Sequence, residues 1–561
     1  MLSYAHGVCE EPLLGETVGH NLERTIARVP DAEALVSVHQ GIRYTYRELG
    51  QAVDRLAGGM LAAGLGSGDR VGVWAPNQAE WALVQYATAK VGVILVNINP
   101  AYRTSELEYA LGQSGCRMLF ATPQCKGSDF TAMVAQIAPK LPALEQVVFF
   151  GSPEWEQIAG GGASADAVRA VMDSLDFDDP INIQYTSGTT GFPKGATLTH
   201  HNLINNAHFI ATLLAYTEAD RVCVPVPLYH CFGMVIGNLA CTTRGACIVY
   251  PADTFEPEAT LAACQDERCT SLYGVPTMFI AELGHPRFNR FDLSSLRTGI
   301  MAGSPCPIEV MKRVSAEMGV DQISIAFGQT ETSPVSTFVR VDDTLEHRCE
   351  TVGQVMPHTE IKIIGVGGGP NHGLIQPRGE TGEFCARGYL VMRGYWNDPR
   401  RTADSIDPGG WMHSGDLATM DDEGYVRVVG RIKDMVIRRG ENIYPREIEE
   451  FLYTHPDVAD VQVIGVPDDR YGEELMAWVV CREGVSLSKD DVRGFCRGKI
   501  AHYKIPRYVK FVDEFPMTVT GKVQKFKMRE TAIEELGLQR AAVAATATTA
   551  TATATATATT A

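Results

Sequence analysis

The stretch RVGVWAPNQAEWALVQYATAKVGVILVNINP, residues 70–100, sets the architecture. A short β-branched run (RVGVW) ends at Ala75-Pro76, a helix-forming segment follows (NQAEWALVQYATAK), and a second apolar run (VGVILV) closes the unit. The period passes from strand to helix and back, which is the rhythm of a βαβ crossover. It continues through SELEYALGQSG (105–115) and RMLFAT (117–122). After a Gly/Ala/Ser-rich loop at 159–165 it resumes with VCVPVP (222–227), ACIVY (246–250) and SLYGVP (271–276), separated by helical stretches such as EPEATLAACQDER (256–268). Two stacked α/β units with parallel-type sheets are the expectation.

Around residues 353–383 short strands alternate with Gly/Pro-rich turns (IKIIGVGGGPNHG, PRGETGEF), which marks a small β subdomain closing the large unit. Beyond the GRIKD segment at 430–434 lies a compact mixed run. Strands are expected at VADVQVIGV, ELMAWVVC and YVKFVDEF, with helices at YPREIEEFLYTH and SKDDVRGFCRGKI. The predicted organisation is α/β: a large N-terminal domain over 1–430, a small mobile α+β domain over 431–535, and an Ala/Thr-rich tail over 536–561 that is expected to be disordered.

Composition narrows the function. With 561 residues, 45% hydrophobic and 21% charged, the chain is neither a small module, a collagen nor a mostly disordered polymer. No run approaches a membrane span, and Glu10 and Glu11 stand where a secretory signal needs basic and apolar residues, so a cytoplasmic protein without integral membrane association is expected. The 49 basic against 67 acidic residues leave a net charge of −18, which argues against nucleic acid as a partner. The 14 cysteines are scattered without a Cys-x-x-Cys or Cys/His ligand array, and most are read as reduced, buried thiols.

Against that acidic background an anionic ligand must be met locally, and Tyr185-Thr186-Ser187-Gly188-Thr189-Thr190-Gly191-Phe192-Pro193-Lys194-Gly195 is built for one. Its glycines let backbone N–H groups face an anion, the hydroxyls add donors, and Lys194 adds charge. It is not a Walker loop. Pro193 stands where that motif has its second glycine, and Gly195 where it has the Mg²⁺-binding Ser or Thr.

This loop resembles the signature of the adenylate-forming superfamily, which comprises acyl-CoA synthetases, peptide-synthetase adenylation domains and luciferases. The superfamily's other blocks occur in the expected order over residues 43–529. The resemblance implies ATP contacts from Thr186, Ser187, Gly188, Thr189, Thr190, Gly191, Phe192, Pro193 and Lys194. In AFGQTE (326–331) it implies adenine packing on Phe327, further nucleotide contacts at Gly328 and Gln329, a phosphate contact at Thr330 and Mg²⁺ held by Glu331. The family more often has Tyr at the Phe327 position, so a hydroxyl is lost there but the flat face is kept. Gly303 and Ser304 are implied beside the nucleotide and acyl carbonyl, Asp416 on the ribose hydroxyls, and Arg431 on ribose or phosphate.

His230, in PLYHCFGM (227–234), is implied at the carboxylate or the gate of the acyl pocket, with Phe232, Met234 and Ile236 toward the acyl chain. Lys433 is implied as the hinge, Gly440 beside a pantetheine passage, and Lys522, at the end of PMTVTGK (516–522), as the catalytic lysine. An ammonium there would stabilise charge that grows on the α-phosphate in the transition state. Neighbouring Lys525 and Lys527 are read as solvated helix charges.

The implied reaction has two steps. A carboxylate attacks ATP·Mg²⁺ to give acyl-AMP and pyrophosphate, and CoA then displaces AMP to give the thioester. The run NINPAYR (97–103) and Gln329 look most like medium-chain and related fatty-acyl-CoA ligases. ATP, CoA and a small carboxylic acid are the expected partners, with a homodimer as the assembly left open. Two alternatives stand beside this reading. One is an acyl-AMP ligase that loads a carrier protein, although no Asp-Ser-Leu attachment signal follows the small domain. The other is an inactive nucleotide-binding scaffold, against which the full set Lys194, Glu331, Asp416, Arg431 and Lys522 speaks.

Overall fold

A computed structural model describes residues 1–186, 193–304, 306–366, 371–438, 441–468, 470–517 and 523–539. Two large sheets carry the expected crossover pattern. In the first, Arg70–Trp74, Ile94–Asn97, Met118–Ala121, Gln146–Phe149 and Pro180–Thr186 are parallel neighbours. The intervening helices are Ala79–Lys90 and Thr104–Ser114. In the second sheet, Glu33–Ser37, Cys247–Tyr250, Arg221–Cys223, Ser271–Gly274, Thr298–Ala302 and Gln322–Gly328 run parallel.

Both sheets depart from the all-parallel expectation at their edges. Lys194–Thr199 returns antiparallel to Pro180–Thr186 and pairs with Gly394–Tyr395, while Ile42–Thr45, Val335–Phe338 and Gln354–Val355 are antiparallel in the second sheet. The links before Lys194 and before Val335 are too short for a crossover of about a dozen residues, so each strand must fold back on its predecessor. The strand expected over 222–227 stops at Cys223, because Pro225 and Pro227 cannot donate to a ladder.

One apolar cluster runs through both sheets, from Val71 and Val73 through Trp81, Val84 and Tyr86 to Ile248 and Tyr250. Every residue of helix Ala79–Lys90 except Glu80 is buried, since the helix lies between the two layers. Even Lys90 is enclosed, and its ammonium is balanced by Glu23 and by Asp54 at 2.5 Å.

A third sheet is antiparallel, in the order Tyr4–His6, Thr359–Ile364, Gly382–Gly388, Met412–Met420, Val426–Arg431. Its edge strand comes from the N-terminus, which the sequence pattern did not reveal. The chain then turns through residues 432–435 into a fourth sheet, where Val458–Asp468 and Gly472–Cys481 form a long hairpin flanked by Val436–Arg438 and Tyr508–Phe511. Helices Pro445–Tyr453 and Lys489–Cys496 cover a separate core that includes Val436, Ile448, Leu452, Val461 and Val479. Among the described residues no helix is long and apolar enough to cross a membrane.

Candidate active site

The parallel strands Thr298–Ala302 and Gln322–Gly328 are in register, with Ala302 opposite Ala326. Gly303 and Ser304 therefore leave one strand end beside Phe327 and Gly328 at the next, on the carboxyl edge where open α/β sheets take ligands. Gly303 has φ +92°, open to glycine with little strain. Gly328 is required for a different reason: a Cβ there would lie 1.9 Å from the Pro334 carbonyl oxygen. A narrow crevice lies here, lined by Phe327, Gly328, Gln329, Phe384, Ser414 and Asp416. Phe327 meets Phe384 edge-on at 5.1 Å, which fixes the orientation of its ring.

The candidate phosphate loop joins two antiparallel strands, with Thr186 opposite Lys194. This hairpin setting separates it from Walker loops, which lead from a strand into a helix. Thr186 Oγ1 donates to the Lys194 carbonyl at 3.5 Å, and the Tyr109 hydroxyl donates to the Pro193 carbonyl at 3.1 Å. Ser187, Gly188, Thr189, Thr190, Gly191 and Phe192 lie outside the described residues.

Thr330 and Glu331 form a short 3₁₀ turn, Thr330–Thr332, directly after Gln329, and both are buried. The Tyr395 hydroxyl donates to Glu331 Oε1 at 2.8 Å, and the Lys194 ammonium sits 4.7 Å from the centre of the Tyr395 ring. Burial and the Glu331 carboxylate push the Tyr395 phenol well above its ordinary range, so it remains a donor. Tyr395 thus couples the candidate phosphate lysine to the candidate metal carboxylate. Sequence reasoning missed it; the available signal was the aromatic pair Tyr395-Trp396 after Gly394, strand-paired to the segment that carries Lys194. A carboxylate and the Thr330 hydroxyl on one turn offer the hard oxygen donors that Mg²⁺ takes, so the donor set fits that ion.

Asp416 and Arg431 face each other across the antiparallel pair Met412–Met420 and Val426–Arg431. Arg431 Nε lies 3.0 Å from Asp416 Oδ1, with Asp416 buried and Arg431 exposed. The two candidate ribose contacts are therefore bound to one another, and Asp416 lines the cleft. His413, three residues before Asp416, has Nδ1 3.0 Å from Glu383 Oε2, and that bond raises its imidazole pKa. Lys433 is exposed in the turn between the third and fourth sheets, where Ile432 N donates to the Gly415 carbonyl.

His230 precedes a π-helix, Phe232–Leu239, rather than an ordinary α-helix start. Gly233 allows this close approach, since a Cβ there would lie 2.4 Å from the Pro227 carbonyl oxygen. The Phe232 N–H donates to His230 Nδ1 at 3.2 Å, which leaves the neutral ring's proton on Nε2. Phe232, Met234 and Ile236 are fully enclosed; Gln85 donates to the Met234 carbonyl and Asn97 to the Met234 sulfur.

Lys522 and Gly440 lie outside the described residues. One cation differs from its expected role. Lys525 is not a solvated charge: its ammonium is 2.5 Å from the buried Glu449 carboxylate and donates to the Val463 carbonyl. Arg438 is committed within the small domain, to Glu474 at 2.8 Å and to the Tyr503 carbonyl.

Comparison with known proteins accords with this layout. Residues 22–396 match the AMP-binding enzyme family, and residues 447–522 match the AMP-binding enzyme C-terminal domain. The chain is 48% identical over 549 residues to YngI of Bacillus subtilis (strain 168), covering 94% of this chain and 99% of that protein. It is 44% identical to the medium-chain acyl-CoA ligase ACSF2 of Danio rerio, covering 96% of this chain and 91% of that one. Among solved structures, ATP-bound MatB from Rhodopseudomonas palustris superposes with a TM-score of 0.81 at 29% identity, covering 92% of this chain and 99% of that one. A family match over most of the chain, a second over its C-terminal portion and a shared fold make this protein a member of the AMP-binding enzyme family.

Proposed function

We propose that the protein is an AMP-forming acyl-CoA synthetase acting on medium-chain or other fatty acids. Carboxylate and ATP give acyl-AMP and pyrophosphate; CoA then attacks the mixed anhydride, and acyl-CoA and AMP leave. The observation that carries this reading is the convergence of Phe327, Gly328, Gln329 and Asp416 on one cleft at the carboxyl edge of the second sheet, with Glu331 held just beyond by Tyr395. Similarity to ACSF2 supports the medium-chain substrate class.

In this reading Phe327 supplies a flat face for adenine and Asp416 accepts from the ribose hydroxyls, steered by Arg431. The 186–194 loop, with Lys194, holds the phosphates, and Thr330 and Glu331 provide oxygen ligands. When bound there, Mg²⁺ neutralises phosphate charge and favours departure of pyrophosphate. His230 Nε2 donates toward the acyl carboxylate and orients it for attack. Lys522 stabilises charge on the α-phosphate during adenylation. The 431–535 segment then turns about Lys433 and brings Gly440 to the pantetheine path, which a few boundary dihedrals suffice to allow. A cytoplasmic setting fits the scattered cysteine pattern.

The test is thioester formation from free CoA over straight-chain, aromatic and alicyclic acids. A maximum among medium straight chains is expected. Adenylate that accumulates without passing to free CoA would instead indicate a carrier-loading ligase.

A further inference from the structure

Far from the nucleotide cleft, the second sheet and its helix layer bring three cysteines together. Cys223 ends the strand Arg221–Cys223, Cys264 lies on the helix Pro257–Asp266, and Cys269 lies just before the strand Ser271–Gly274. Their sulfur atoms all lie within 4.8 Å of one another, and all three side chains are fully enclosed. The local reason is a sharp reversal after the helix. Arg268 takes φ +49°, and the Cys269 N–H donates to the Cys264 carbonyl at 2.9 Å, which folds Cys269 back beside Cys264. No Cys-x-x-Cys spacing signals this, because the third sulfur comes from a strand more than 40 residues earlier in the chain.

A second observation points at the same place. Glu282, on the adjoining helix Pro276–Leu283, is buried with neither carboxylate oxygen hydrogen-bonded, and it lies within electrostatic reach of Cys264. An unpartnered carboxyl in an apolar core is costly unless a ligand or cation completes it. The three cysteines belong to a core cluster with Val249, Leu261, Leu272 and Phe279, and the partly buried Arg221 and Glu267 lie within electrostatic reach of Cys269.

We propose that Cys223, Cys264 and Cys269 bind one thiophilic d¹⁰ cation, Cu(I) or Zn(II), acquired as the chain folds. With metal–sulfur bonds of about 2.3 Å, a trigonal three-thiolate site needs sulfur separations of about 4.0 Å, which the 4.8 Å limit on the three sulfurs admits. Coordination exchanges up to three S–H protons for metal–sulfur bonds and involves no electron transfer. Copper(I) is satisfied by three thiolates, whereas zinc calls for a fourth ligand, so the all-sulfur trio suits copper(I) better.

The test is metal content by inductively coupled plasma mass spectrometry. Full-length protein is expressed with added copper or zinc and purified without chelators, and free thiols are counted after denaturation. About one metal per chain is expected in at least one medium, falling about tenfold or more in Cys264→Ala and Cys269→Ala. Cys116→Ser, which alters a buried cysteine in a different core cluster, should keep the wild-type content. Negligible metal from both media would overturn the proposal, as would equal metal in wild type and both cysteine variants. A thiol count two short of the total, from a disulfide within the trio, would also overturn it.

Discussion

The Tyr395 hydroxyl donates to Glu331 Oε1 at 2.8 Å while the Tyr395 ring lies under the Lys194 ammonium, so one buried phenol ties two candidate phosphate-site groups together. Tyr395→Phe keeps the ring but removes the donor. A charge-assisted hydrogen bond contributes about 1.5–3 kcal/mol, so adenylation kcat/KM is expected to fall about 10- to 100-fold, with a smaller change in KM for the acid. Steady-state kinetics of pyrophosphate release checks this, and an unchanged rate would separate Tyr395 from the site.

Asp416 is buried and paired with the exposed Arg431 across a strand pair. Asp416→Asn removes both the ion pair and the carboxylate acceptor for ribose. KM for ATP is expected to rise about tenfold or more while KM for the acid stays within about twofold. Equal effects on both substrates would indicate a loss of fold rather than of nucleotide binding.

The proposed division of labour puts Lys522 in the first half-reaction only. Lys522→Ala should reduce adenylate formation by about 100-fold or more, the cost of losing a charge aimed at the transition state. Thioester formation from preformed acyl-AMP should remain near wild type. Equal losses in both assays would remove the basis for domain rotation.

His200 gives a stability prediction. It is fully buried, the Val18 N–H donates to its Nδ1 at 3.2 Å, and burial pushes its imidazole down to about 3. The unfolded chain, with a pKa near 6.5, therefore binds the extra proton first. The stabilisation is complete above pH 6.5 and is lost as pH falls from there toward 3, by up to about 5 kcal/mol. Denaturation midpoints measured between pH 7 and 4 should fall steeply in wild type and less steeply in His200→Asn; parallel slopes would assign acid sensitivity elsewhere.

The alternation over residues 70–122 was enough to expect parallel strands with crossover helices, because burial on both faces leaves period and length as the deciding signals. The helices at Pro257–Asp266, Pro445–Tyr453 and Lys489–Cys496 lie where the pattern placed them. The edge strand Tyr4–His6 was not legible, since three residues carry no periodicity and its partner lies more than 350 residues away. The π-helix at Phe232–Leu239 was hidden for another reason: its apolar run fits any buried helix, and only the close approach at Gly233 shows the wider turn. Candidate residues within one contiguous block, such as Phe327 to Glu331, can be named from the sequence because the chain itself keeps them together. The contact of Tyr395 with the Lys194 strand and the three-cysteine cluster depend on how distant segments pack, and the Asp416–Arg431 pair depends on the register of one hairpin.

Carboxylate-dependent exchange of labelled pyrophosphate into ATP reports the central claim most directly, because it requires only the first half-reaction and no acceptor. With medium-chain fatty acids, exchange should appear on addition of acid, depend on Mg²⁺, and be nearly abolished in Lys522→Ala. Absence of exchange across a broad panel of acids, with folded protein and ATP present, would contradict the assignment.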